Sequence, residues 1–300
     1  MNKAGTYLPI LGFLCFIFVV WKYFDCGQIW EHLIRANISL IIVVLVLTSS
    51  QILTATLRYK FFLNACGIEI KTTYCMHAVL TALSLNSLIP GKGGDIAKVI
   101  VLIKKKNEIL KYSGVIIIEK LCDLSVLSFI TLIGAVLVEN TFWQFVSISA
   151  LMIFISLILS LRYANVLPIL GAKLQILPDL ISSIFKNPRF FLFGICFCIL
   201  LWIVNLSIIY LLMLAVNADI SATQIISFWP SSMLTGMVPI TISGFGTRDA
   251  AFIYALGESL NNTKLFAGTF LYTVFVYWFL SLLAFLILTI KGVLKLRFFA

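Results

Sequence analysis

Three charged residues stand close together in an otherwise apolar run from Ser113 to Val138: Glu119, Lys120 and Asp123. On a helix Glu119 and Asp123 are four apart and share a face, while Lys120 and Asp123 are three apart and can pair. A rise of about 1.5 Å per residue puts Asp123 roughly 15 Å from the helix start. In a membrane-crossing helix that is close to the midplane, where a charge costs at least ~2.5 kcal/mol. Two acids and one base leave a negative excess, to be balanced by a proton or by an outside cation such as Arg58, Lys92 or Arg248. Such a cluster is either a permanent tie between helices or a set of pairs that a substrate or proton breaks and remakes.

Two glycine-rich breaks offer a second chemistry. The first runs Pro90, Gly91, Lys92, Gly93, Gly94, Asp95, Ile96, Ala97; the second has Pro239, then Gly244, Phe245, Gly246, Thr247, Arg248, Asp249, Ala250. They share an order of types: proline, glycines, acid, alanine. A helix that begins after glycines presents unpaired backbone N–H groups and the positive end of its dipole, which favours an anion. With Lys92 and Lys98 beside the first break and Arg248 at the second, each is a candidate phosphate cradle. Neither break has the spacing of a nucleotide-binding loop. Ser84, Asn86 and Ser87 before the first break, and Ser231, Ser232 and Thr235 before the second, either donate to a headgroup or satisfy the broken backbone. A polar stretch from Thr48 to Thr56 either lines a cavity or binds a neighbouring helix.

The elements that carry these residues follow from composition. Of 300 residues, 61% are hydrophobic and 11% charged, against roughly 25% charged in a soluble domain. A membrane-crossing helix needs about 20 apolar residues. Six runs approach that length: 7–24, 38–57, 113–138, 144–161, 190–216 and 264–290. Trp21 to Asp25 follow the first run where a cleavage site needs small residues, so it reads as a retained helix. The connection at 162–189 is too short for a separate domain. Seven cysteines without metal-like spacing, and His32 and His77 standing alone, give no metal site and no cofactor.

Lys and Arg orient membrane helices by staying cytoplasmic. With the N-terminus and C-terminus in the cytoplasm, the six long runs crossing, and the runs at 73–90 and 225–242 turning back, 15 basic residues face inward. Only Lys22, Arg35 and Lys264 then face outward, so the net charge of +10 reads as orientation rather than as nucleic-acid binding. Residues 94–103 supply only about 15 Å of helix after the first break, and residues 225–257 repeat that plan. The expected fold is an all-α integral membrane protein, six transmembrane helices plus two re-entrant broken-helix hairpins. It forms one membrane domain whose halves, about 1–140 and 141–300, are oppositely oriented. Inverted repeats with discontinuous helices are a transporter architecture.

At these residues the chain resembles the flippase-like transmembrane region named after lysylphosphatidylglycerol synthase, over nearly its whole length. The resemblance is carried by Arg58 and Tyr59, by Asn86 with Pro90 to Asp95 and Lys98, and by Glu119, Lys120 and Asp123. It continues in Pro239, Gly244, Gly246, Arg248, Asp249 and Ala250. The chain departs from the family pattern with lysine for arginine at 92, 98 and 120, Ser243 for a glycine and Asp249 for a glutamate. Lysine keeps the charge but loses the bidentate grip on phosphate. The resemblance implies movement of aminoacylated phospholipids or polyprenyl-linked sugars between leaflets of the cell membrane.

The function expected is therefore a lipid translocase for an anionic phospholipid or a polyprenyl-phosphate-linked sugar. Its candidate substrate-binding residues are Arg58, Asn86, Lys92, Gly93, Gly94, Asp95, Lys98, Gly244, Gly246, Arg248 and Asp249, with Glu119, Lys120 and Asp123 as an intramembrane charge network. A glycosyltransferase or lipid synthase is the expected partner class. Two alternatives stand beside it: an intramembrane lipid-dependent transferase with Asp95 or Asp249 as base, and a non-transporting membrane partner of such an enzyme.

Overall fold

Apolar sequence in a low-dielectric surrounding must satisfy its backbone within each segment, which leads to helices. The computed structural model describes residues 26–87, 94–103, 108–161, 176–237, 241, 244–256 and 261–290, and these hold helices and short connections without a strand. The expected first crossing at 7–24, the residues Pro90 to Gly93, Pro239 and Ser243, and Lys104 to Lys106 lie outside the described residues.

The described helices are α1 (Cys26–Ile34), α2 (Ile38–Ala65), α3 (Thr72–Asn86), α4 (Ile96–Leu102), α5 (Ile109–Leu137) and α6 (Thr141–Leu161). There follow α7 (Ile176–Lys186), α8 (Pro188–Ala215), α9 (Ala222–Gly236), α10 (Thr247–Leu256) and α11 (Asn262–Ile290), the last containing a π-helical segment at Thr273–Phe279. Local chemistry sets several of the starts. The Asn37 and Asn261 side chains accept from the first free N–H groups of α2 and α11, Ser221 and Gln224 form a reciprocal capping box on α9, and Pro188 opens α8 where its missing N–H costs nothing.

Helices α2, α8 and α11 are long and apolar enough to cross a membrane. Helix α5 is as long as α11 but carries Glu119, Lys120 and Asp123. The 15 residues of α3 and of α9 span only about 22 Å at 1.5 Å per residue, short of a ~30 Å hydrocarbon core.

Helix lengths repeat along the chain. Helices of 28, 15, 7 and 29 residues (α2 to α5) are followed by helices of 28, 15, 10 and 29 residues (α8 to α11). The equivalent helices α2 and α8 are antiparallel. At one end Asn37 N–H donates to the Ala215 carbonyl at 2.9 Å, and at the other the Phe61 ring packs on Phe193 and Phe197 with centroids 5.2 and 5.4 Å apart. The helices thus fall into a first unit, α2 to α5, and a second, α8 to α11, and each lends its short helix to the other: α3 packs on the end of α11, and α9 on α5. The core follows this interlock, with Tyr59, Phe62, Ile118, Trp229 and Tyr272 all buried.

Several boundaries move from their sequence-based positions. Helix α2 does not stop at residue 57 but continues through Arg58, Tyr59 and Lys60, because Arg58 has acidic partners inside the protein. The connection expected at 162–189 contains α7, an amphipathic helix whose Leu177, Leu180 and Ile181 are buried.

Candidate functional site

Each short helix pair is closed by a glycine against a helix end. A Cβ at Gly94 would lie 2.6 Å from the Ala82 carbonyl oxygen and 2.7 Å from Asn86 Oδ1. Gly244, at φ +71°, occupies the matching place: a Cβ there would lie 2.9 Å from the carbonyl oxygen of Gly236, the last residue of α9 as Asn86 is the last of α3. Only glycine permits both the approach and the positive φ. Counted from these two glycines, Lys98 and Arg248 stand at the same position, four residues on. Matching the breaks acid to acid, Asp95 to Asp249, is therefore corrected by the structure: the breaks match base to base.

In the first unit, Lys98 turns inward with only 3% of its surface exposed. Its ammonium lies 3.0 Å from Asp95 Oδ1 and 3.0 Å from Glu119 Oε2. Arg58 completes the cluster, 2.8 Å from Glu119 Oε1 through Nη2 and 2.9 Å from Asp123 Oδ1 through Nη1. Lys120 pairs with Asp95 rather than with Asp123, correcting the three-apart pairing on one helix. The Trp202 indole N–H donates to Asp123 Oδ1 at 3.2 Å from α8, so the cluster ties α2, α4, α5 and α8 together. Arg58, Lys98 and Lys120 face Asp95, Glu119 and Asp123, three bases against three acids. Low-dielectric burial demands this balance, since removing one partner of a buried pair leaves a charge without compensation.

In the second unit the same position is sealed. Arg248 is 1% exposed and pairs with Asp249 at 2.7 Å and with Thr273 Oγ1 at 2.6 Å. The rings of Trp229, Tyr272 and Tyr277 surround its guanidinium at 5.3, 5.0 and 5.6 Å, within the range of cation–π attraction. Asp249 Oδ2 also accepts from Gly246 N–H at 2.9 Å. A carboxylate of the protein thus already occupies the helix start expected to cradle a phosphate. The proposed contact between Asp123 and Arg248 is replaced by two separate pairings, Asp123 with Arg58 and Arg248 with Asp249.

A cavity of about 140 Å³ lies between the units, room for on the order of ten waters. Gln51, Arg58, Asn86, Asp95, Lys98, Lys120 and Asp123 line it from the first unit, and Trp202, Asn205, Tyr272, Tyr277 and Ser281 from the second. Arg248, Asp249, Gly244 and Gly246 are not among its walls. Of the sequence-derived candidates, the structure brings together Arg58, Asn86, Asp95, Lys98, Lys120 and Asp123, with Glu119 directly behind them. Lys92 and Gly93 lie outside the described residues.

The hydroxyls beside the breaks bond within the protein. Ser231, Ser232 and Thr235 donate to carbonyls of their own helix, whereas Ser87 and Ser281 bond to each other across α3 and α11 at 2.8 Å. Within the polar stretch of α2, Thr54 and Thr56 bond to their own helix and Gln51 faces the cavity. Sequence reasoning missed Trp202, Asn205, Tyr272 and Tyr277, since an aromatic or single amide inside an apolar run carries no distinctive pattern. Among the described residues no cluster of His, Cys, Asp and Glu is arranged to hold a metal ion.

A family model described as the lysylphosphatidylglycerol synthase TM region matches residues 9–284. The chain is also similar to a UPF0104 membrane protein of Methanocaldococcus jannaschii, 25% identical over 280 residues with 83% of each chain covered.

Proposed function

Because the chain belongs to the lysylphosphatidylglycerol synthase TM region family, we propose that it is a lipid translocase of the cell membrane, moving an anionic phospholipid or a polyprenyl-phosphate-linked sugar between leaflets. One observation carries this reading: a cavity that holds acids, bases and amides, walled by two runs of helices of matching lengths, inside an otherwise apolar protein. A headgroup enters the cavity while its acyl or prenyl tails stay in lipid, and one unit rocks against the other to change the side of access. The short helices α3 with α4 and α9 with α10 act as re-entrant hairpins beside six crossings. Both termini face the cytoplasm, in keeping with the distribution of basic residues.

The sequence contains no nucleotide-binding loop, so movement is downhill or coupled to a proton, for which Asp123 on the cavity wall is the better placed acid. A glycosyltransferase or lipid synthase would supply the substrate. Purified protein in liposomes should accelerate leaflet exchange of tail-labelled phosphatidylglycerol or of a polyprenyl-phosphate sugar. Exchange of both at the rate of protein-free vesicles overturns the reading.

A further inference from the structure

We infer that the last part of α11, Leu280–Ile290, is a gate on the cavity, held closed against α3 by the Ser281 hydroxyl. The inference rests on the translocase reading and adds which element moves and on which side the cavity opens.

The residues that anchor this segment are few and set apart. Its buried residues are Leu280, Ser281, Ala284 and Leu288. The three apolar ones join Ile52 and Leu80 in a small cluster of their own, separate from the main core. Helix α3, on the other side of the seam, is anchored differently, since its Cys75, Ala78 and Val79 sit in the main core. Segments that open locally are those with few buried apolar contacts. The end of α11 is therefore the leaf that moves, and α3 is the post on which it closes.

The latch is polar. Ser281 Oγ donates to the Ser84 carbonyl oxygen at 2.8 Å and accepts from Ser87 Oγ at 2.8 Å, so two hydrogen bonds converge on one hydroxyl. Each such bond is given up at little net loss when water or another polar group takes its place. Leu280 and Ser281 line the cavity on one side of the seam, and Leu83 and Ser87 line it on the other. Parting them opens the cavity wall itself.

The counterpart seam, where α9 lies on α5, is closed more tightly. A Cβ at Gly134 would lie 2.5 Å from the Ile226 carbonyl oxygen, so backbone meets backbone there, and Leu127 and Ile225 carry that contact into the main core. The stretch from Ser281 to Ile290 spans about 15 Å, half of a ~30 Å hydrocarbon core. With the C-terminus in the cytoplasm, as proposed above, the weaker seam borders the cytoplasmic leaflet and the tighter one the outer leaflet. This conformation is poised to open inward.

The test locks the gate. Ser87→Cys with Ser281→Cys in the full-length chain puts two thiols where the hydroxyls now bond, and oxidation should join them, read by mass spectrometry of the linked peptides. In liposomes the disulfide should stop leaflet exchange of tail-labelled phosphatidylglycerol or of a polyprenyl-phosphate sugar, and dithiothreitol should restore it. Each single variant should exchange equally before and after oxidation. Undiminished exchange by the disulfide-linked protein overturns the gate and leaves the translocase standing. A second measurement uses the native chain in nanodiscs: hydrogen–deuterium exchange should label the amides of 282–290 about tenfold faster than those of 126–136. Ser281→Ala should widen that difference. Equal protection of the two segments overturns the gate whether or not the disulfide forms. If the native chain exchanges neither lipid, the translocase reading falls and the comparison of amides decides the gate alone.

Discussion

Glu119 and Tyr272 hold the same place in the two units: each is the eleventh residue of a 29-residue helix, and each meets the base four residues beyond the closing glycine. In the first unit the base is held by a carboxylate that belongs to a larger cluster. In the second it is held by ring faces and by its own neighbour Asp249. The repeat therefore conserves a place for a buried cation and changes what surrounds it. One unit keeps its base on the cavity wall, and the other encloses it.

Glu119→Gln should destabilise the protein by ~3–5 kcal/mol, because Arg58 and Lys98 lose a shared buried partner. Adding Lys98→Met to that variant restores equal numbers of acids and bases and should recover part of the loss. A double-mutant cycle on melting in detergent measures it, and additive losses would show that the two residues are not coupled.

Exchange of the charges of Asp123 and Arg58, as Asp123→Arg with Arg58→Asp, should recover folded protein lost in either single variant. Asp123→Lys combined with Arg248→Asp should not, since each of those residues has a different partner. Yield of monodisperse protein after solubilisation distinguishes the two pairs.

Arg248→Met alone strands Asp249 and should reduce folding, while Arg248→Met with Asp249→Asn should restore it. Because neither residue lines the cavity, leaflet exchange per folded molecule should match that of the native chain in the double variant. A selective loss of exchange would place Arg248 back at the substrate.

Gly94→Ala and Gly244→Ala should each cost at least ~1–3 kcal/mol. A methyl at either position meets backbone that cannot step aside, and Gly244 also needs a positive φ. The melting temperature should fall in both. Unchanged melting would mean that the short helices do not close on α3 and α9 as described.

The Cys66 thiol, just past the end of α2, is pushed up to about 12 by burial. A thiol with a raised value is protonated throughout the neutral and mildly alkaline range, and the thiolate is the reactive form. Iodoacetamide should thus leave Cys66 unmodified at pH 7 to 9 and reach it only on denaturation, read by mass spectrometry. Rapid labelling of the folded protein would contradict this.

Much of the site was legible because charge is rare here. Glu119, Lys120 and Asp123 stand out against an apolar background, and their excess called for a proton or an outside cation, the second of which Arg58 supplies. The breaks were legible from glycine and proline. Which residues correspond across them was not, because the equivalence depends on where Gly94 and Gly244 touch the preceding helix, a contact that no local pattern encodes. Lys98 read as a flanking residue of an anion site, yet it joins the acids, since the four-residue step from Gly94 turns it toward α5. Tyr272 and Tyr277 gave no signal, because their importance comes from a cation brought to them by a different helix.

The π-helical segment at Thr273–Phe279 interrupts α11, whereas its counterpart α5 is α-helical throughout. A π turn takes up about one residue more than an α turn, so everything beyond it is rotated by about 100° relative to an uninterrupted helix. The rotation determines that Leu280, Ala284 and Leu288 meet Ile52 and Leu80, and that Ser281 reaches Ser87. Deleting one residue from this stretch would act like a quarter-turn of a key, carrying the whole contact stripe away from α3 while leaving the residues before it in place.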